Sequence, residues 1–141
     1  MTASSPNPPP PTHHTTPGAP STDQDGNVIP SSRLTRPADP PRSYAYCSDT
    51  CYLPELHKQL EGTTCIYHET TYATEDAEKA AKYCHSTAAQ AAQVARDAHA
   101  GRLLLGHYSS KYDNEQVLLD EARAVFPASE LTREGMIVEL K

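Results

Sequence analysis

Four sites in this 141-residue chain carry side chains suited to metal or acid–base chemistry. The run from Arg42 to Tyr52 (RSYAYCSDTCY) breaks off a strand-forming stretch at Asp49, with no glycine to make the turn. His68 and Glu69 follow a second strand-like run, Thr64 to Tyr67, and His107 follows a third, Leu103 to Leu105. In open parallel sheets, ligands bind beyond the carboxyl ends of the strands. If these three run parallel, a carboxylate and imidazoles share one edge, a donor set that suits zinc. Plainer readings stand beside this one: Asp49 as a helix cap or turn acid, His68 and His107 as satisfied histidines at strand ends. His85 comes just before a helix start at Ser86 and Thr87, where free N–H groups and the helix dipole favour phosphate. An imidazole there could protonate a leaving oxygen; the alternative is an ordinary start capped by Ser86 or Thr87. His57 and His99 fall on helix surfaces and are not ligand candidates.

The elements that must position these groups alternate. Tyr44 to Cys47 reads as a strand. Pro54 to Leu60 reads as a short helix with Leu53, Leu56 and Leu60 on one face, stopped by Gly62. Thr64 to Tyr67 is the second strand, and Glu75 to Tyr83 has helix-forming composition. Thr87-Ala88-Ala89-Gln90 fits a capping box, opening a helix with Ala88, Ala91, Ala92, Ala95 and Ala98 on one stripe. Gly101 is placed to end that helix in the left-handed conformation. A third strand spans Leu103 to Leu105. Asp113 or Asn114 caps a helix with Leu118, Ala122, Val125 and Phe126 on one face, and Met136 to Leu140 is expected as the last strand. Strands separated by helices imply βαβ units and an α/β layered domain.

Composition bounds the partners. All prolines except Pro54 and Pro127 precede residue 43, and residues 1–22 carry no charge. Residues 1–22 are therefore expected to be a disordered Pro/Ser/Thr-rich tail, with the folded domain over 23–141. No run approaches the ~20 apolar residues of a membrane span, and the tail lacks the pattern of a secretory signal. A soluble, cytoplasmic protein is expected. The net charge of −6 argues against nucleic-acid binding through a basic face. Bound metal could still supply local positive charge at a phosphodiester. Cys47, Cys51, Cys65 and Cys84 form no C-x-x-C pair and are expected as reduced thiols.

Taken together and in order, AYCSDT, YHETTY, the HST of 85–87 and GHYSSKY of 106–112 resemble the carboxyl-terminal half of ribonuclease Z. That family comprises tRNA 3′-processing endonucleases of the metallo-β-lactamase superfamily. The resemblance runs from about Asp23 to Lys141 and implies the carboxyl-terminal half of an αββα sandwich. By that resemblance Asp49 bridges two zinc ions and His107 is a ligand of the second. His85 lies near the scissile phosphate as proton donor, and His68 and Glu69 support the site from behind. Ser86, Thr87 and Lys111 are candidate contacts to substrate phosphate. The implied reaction is phosphodiester hydrolysis by zinc-bound hydroxide, releasing 3′ trailers from precursor tRNA. A homodimer is implied too.

The family's His-x-His-x-Asp-His motif, which supplies most of the zinc ligands, is absent from these residues, as is its basic tRNA-gripping arm. Tyr108 and Lys111 stand where the family more often has Phe and Arg, and lysine loses bidentate phosphate geometry. The chain is thus expected to be a partial enzyme, inactive alone and completed by a missing amino-terminal half. Two other functions fit the same residues: another hydrolase of this fold, or a noncatalytic interaction fragment.

Overall fold

The structure, a computed structural model, describes residues 18–36 and 39–140. Two units divide at Pro40 and Pro41. In the first, Ser21–Thr22 (β1) and Val28–Ile29 (β2) pair antiparallel, and Ser31–Leu34 (α1) is a single turn of helix. The Asp23 carboxylate accepts from the Asp25 and Asn27 amides at 2.9 and 2.8 Å. Gly26 takes the positive φ (83°) that the turn requires. The expected disorder over residues 1–22 falls, up to residue 17, outside the described residues. Ser21 and Thr22, however, are already paired, and residues 23–36 group with this unit rather than with the layered part.

In the second unit, Tyr44–Cys47 (β3), Cys65–Glu69 (β4), Leu103–Gly106 (β5) and Ser129–Leu131 (β6) form one all-parallel sheet. Spatial order equals chain order, β3-β4-β5-β6. Period-two alternation sends Ala45, Cys47, Ile66, Leu103 and Leu105 to one face. There they meet Ala77–Lys82 (α2)'s successor, the ten-residue helix Ala88–Asp97 (α3), together with Gln116–Val125 (α4). Ala88, Ala91, Ala92 and Ala95 of α3 are fully buried, and their small side chains let the helix lie close on the sheet and on α4. Its start is the expected capping box: Thr87 Oγ1 accepts from Gln90 N, while Gln90 Oε1 accepts from Thr87 N.

The opposite face of the sheet carries Tyr44 and Tyr46, which are 50% and 64% exposed. Tyr46 stacks on Tyr67 with centroids 4.7 Å apart. All-parallel sheets are normally covered on both faces. The described residues thus build one β layer and one α layer of the expected sandwich.

Three local expectations change. The last strand is β6, not Met136–Leu140: β6 pairs with β5 from Leu103↔Ser129 to Leu105↔Leu131, and residues 136–140 have no strand structure. The residue that leaves α3 through the left-handed region is His99 (φ 49°), not Gly101. Gly101 is needed for another reason, because a Cβ there would sit 2.6 Å from the Thr64 carbonyl oxygen. Finally, Pro54–Lys58 is a 3₁₀ turn rather than α-helix, still followed by the expected Gly62 at φ 67°.

Candidate metal centre

The carboxyl ends of β3, β4 and β5 lie side by side because the strands are parallel and in register. Asp49 lies just past β3, Glu69 ends β4, and His107 follows β5 directly. His107 adopts φ 57°, a left-handed conformation uncommon for a non-glycine residue and found where function holds strain in place. His85 reaches the same edge from the segment before α3.

Asp49, His85 and His107 converge: each offers a ligand atom, all within 4.8 Å of one another. His107 Nε2 is 3.4 Å from Asp49 Oδ1, and the two imidazoles stack with centroids 5.2 Å apart. Behind them stands Glu69, fully buried. Its Oε1 accepts from Thr50 N (3.2 Å), Ser86 N (2.9 Å) and His85 Nδ1 (3.0 Å). Its Oε2 accepts from Thr71 N (3.0 Å) and the Thr71 hydroxyl (2.7 Å).

This network dictates the histidine tautomers. The Thr71 hydroxyl has one proton, and it goes to Glu69, so Thr71 Oγ1 can only accept from His107 Nδ1 at 2.8 Å and His85 Nδ1 at 3.2 Å. Both rings therefore carry their proton on Nδ1 and turn the Nε2 lone pair away from the network. The His107 Nε2 lone pair and Asp49 Oδ1 then face each other with no donor between them, and His85 offers a ligand atom to the same cluster. A cation is what such a set accommodates, and nitrogen and oxygen donors with a second nitrogen fixed from behind match zinc chemistry. The donor set fits the metal.

The other expected residues are placed as follows. His68 does not join the cluster. Its position in β4 shares a face with Ile66, so it is buried on the helix side, with Nδ1 2.7 Å from the Glu69 carbonyl oxygen. Ser86 donates its hydroxyl to the Thr50 carbonyl (2.8 Å), and Thr87 is committed to capping α3. Lys111 is engaged elsewhere: its ammonium ion-pairs with Asp76 and with Glu75 (3.1 Å), and those partners, Asp76 first, raise its pKa. His57 and His99 stay outside the cluster, and His99 pairs with Glu61 at 2.9 Å. Thr71 was not foreseen; its only sequence signal is the spacing Glu69-x-Thr71, which cannot reveal contacts to residues 14 and 36 positions away.

Burial holds the His68 pKa below its ordinary value. The unfolded chain then binds a proton that the folded chain refuses, so stability falls as pH drops through the unfolded histidine value of about 6.5. Urea titrations at pH 8 and pH 5.5 are expected to show the loss. His68→Gln is expected to reduce that pH dependence, and an unchanged slope in the variant would assign it to another group.

No family model matches the chain. Ribonuclease Z of Bacteroides fragilis is 48% identical over 116 residues, covering 82% of this chain and 38% of that protein. Ribonuclease Z of Phocaeicola vulgatus is 42% identical over 124 residues, covering 88% and 40%. Among solved structures, the metallo-β-lactamase fold protein YhfI from Bacillus subtilis superposes with TM-score 0.65 at 18% identity, over 89% of this chain and 54% of that one. The short form of human tRNase Z gives 0.52 at 22% identity, over 67% and 32%. The chain thus spans well under half the length of the curated relatives it matches. By sequence this chain is a relative of ribonuclease Z across most of its length, and its fold is part of a metallo-β-lactamase fold.

Proposed function

We propose that this chain is the carboxyl-terminal part of a zinc-dependent endoribonuclease that removes 3′ trailers from precursor tRNA. The observation that carries the reading is the meeting of Asp49, His85 and His107 at one sheet edge, their ring nitrogens oriented through Thr71 and Glu69. The naming of the relatives as ribonuclease Z supports the substrate class.

In this reading Asp49 and His107 hold metal, two zinc ions being expected at the complete site. When bound, zinc supplies a Lewis acid for the phosphoryl oxygen and lowers the pKa of water. The chain's own residues do the rest. Glu69 steadies an imidazolium at His85 through Nδ1, so that Nε2 can pass a proton to the leaving 3′ oxygen. Thr71 holds the His107 ring so that its lone pair stays on the metal side. The Ser86 and Thr50 amides, spent on Glu69, fix the two loops rather than bind phosphate. Lys111, already paired, contributes little to phosphate binding in this state.

The remaining ligands and the cover for the Tyr44–Tyr46 face belong to a complementary part corresponding to the length of the relatives without a counterpart here. With it, a cytoplasmic homodimer is the expected assembly. No helix among the described residues is long and apolar enough to cross a membrane.

Zinc titration by calorimetry, with the chain joined to its complementary part, tests the centre apart from catalysis. Asp49→Ala is expected to remove measurable binding. Thr71→Val, which deletes only the group behind the histidines, is expected to weaken binding by about 10–100-fold. Equal affinity in the native chain and both variants would place any zinc elsewhere.

A further inference from the structure

Beyond His107, at the carboxyl ends of β5 and β6, lies a cleft of about 550 Å³ that the chemistry proposed above does not use. Its floor is fixed by hydrogen bonds. Thr132 donates its amide (2.9 Å) and its hydroxyl (2.6 Å) to the Leu105 carbonyl, so the chain leaving β6 is tied to the chain entering His107. A turn follows, closed by the Met136 amide on the Arg133 carbonyl at 3.1 Å, with Gly135 at φ 76°. Arg133, exposed and lining the cleft that His107 begins, thus stands on held backbone. Among the described residues of the layered unit, it is the one lysine or arginine whose side chain has no partner. Lys111 is held by Asp76 and Glu75, Arg102 by Glu130, Arg123 by the Ser129 carbonyl and Arg42 by the Leu140 carbonyl. Lys58 and Arg96 pair with Glu55 and Asp97, and Lys79 and Lys82 lie over tyrosine rings. A free guanidinium beside a centre proposed to cut phosphodiesters offers a fork for phosphate.

We propose that this cleft is the subsite for the first nucleotide of the 3′ trailer, with Arg133 on the phosphate that follows that nucleotide. The inference rests on the endonuclease reading above. In that reaction His85 gives its proton to the departing 3′ oxygen, so the tRNA end lies on the His85 side of the centre. The trailer keeps the scissile phosphate and lies on the other side. The cleft is lined by His107 and not by His85, which makes it the trailer's side. Its volume suits one nucleotide. Tyr108 and Leu131 offer apolar surface to a base, and the Glu115 and Glu134 carboxylates can accept from a base amino group such as N4 of cytosine. Those carboxylates repel phosphate, so the charge of Arg133 decides whether a phosphate is held there. Arg133 binds and positions the strand; it takes no part in the bond that breaks.

Calorimetry on the chain joined to its complementary part and loaded with zinc compares two probes, cytidine 3′,5′-bisphosphate and cytidine 5′-monophosphate. The native protein is expected to bind the bisphosphate about 10-fold more tightly, the size of one hydrogen bond to a charged group. Arg133→Ala should remove that preference and keep the monophosphate affinity, which also shows that the variant is folded. Arg133→Lys, with the charge but not the fork, should retain part of the preference. In cleavage assays Arg133→Ala is expected to raise the KM for precursor tRNA about 10-fold and to act on KM more than on kcat. Equal or absent binding of the two probes by the native protein, or a preference that survives Arg133→Ala, would overturn the subsite. A bisphosphate preference that depends on Arg133, in a protein that cuts no precursor tRNA, would support the subsite and sink the endonuclease reading instead.

Discussion

Incubated with zinc and precursor tRNA, the 141-residue chain alone is expected to release no 3′ trailer, and to release it once the complementary part is supplied. A catalytic zinc is held by three protein ligands plus water. If His85 is reserved for the leaving oxygen, Asp49 and His107 remain, too few to hold an ion against a phosphodiester. Supplying the remaining ligands, as an in-frame extension or a separate chain, should restore cleavage. In the restored enzyme Asp49→Ala is expected to lower the rate by more than about 100-fold, since removing only a supporting partner of a metal ligand already costs 10–100-fold. His85→Ala should spare zinc affinity more than rate, separating proton donor from ligand. Efficient cleavage by the 141 residues alone that survives Asp49→Ala would sink both the partial-enzyme reading and the site.

The second large effect belongs to Glu69. Five hydrogen bonds end on this one buried carboxylate, from Thr50, Thr71, His85 and Ser86. Alanine leaves those donors facing a void, and an unmade bond at a buried group costs about 1–3 kcal/mol. A net loss of roughly 3–5 kcal/mol is expected, a large share of the stability of a domain this size. Glu69→Gln is expected to fall between, because its NH₂ must face either the Thr71 amide or the Thr50 and Ser86 amides, none of which can accept. Urea denaturation of the three proteins measures the order. An alanine variant as stable as the native chain would show that the loops at this edge hold themselves.

Much of the sheet was legible because β3, β4 and β5 are short apolar or aromatic runs between clear breaks, and because Thr87 and Gln90 announce α3. β6 was not, because Ser129-Glu130-Leu131 has a single apolar side chain, while Met136–Leu140 alternates convincingly and yet forms no strand. At the site, the positions of Asp49, His85 and His107 followed from strand ends and motif order. His68 was misplaced because the alternation of β4 sends neighbouring residues to different surroundings. The carboxylates that occupy Lys111 lie 35 and 36 positions away, and the Thr71 bridge to His107 spans 36, distances at which spacing carries no information.

The sheet in which each strand lies beside the one preceding it in the chain has a consequence for how the protein is made. No strand has to slide between two already joined. As the chain leaves the ribosome, β4 can dock on β3, β5 on β4 and β6 on β5, each closing a contact with the segment just synthesised. The growing edge then advances away from β3, with α3 and α4 laid down in turn, and Asp49, His85 and His107 emerge in that order along it. The candidate centre is therefore assembled last at its His107 side, when β5 reaches the sheet.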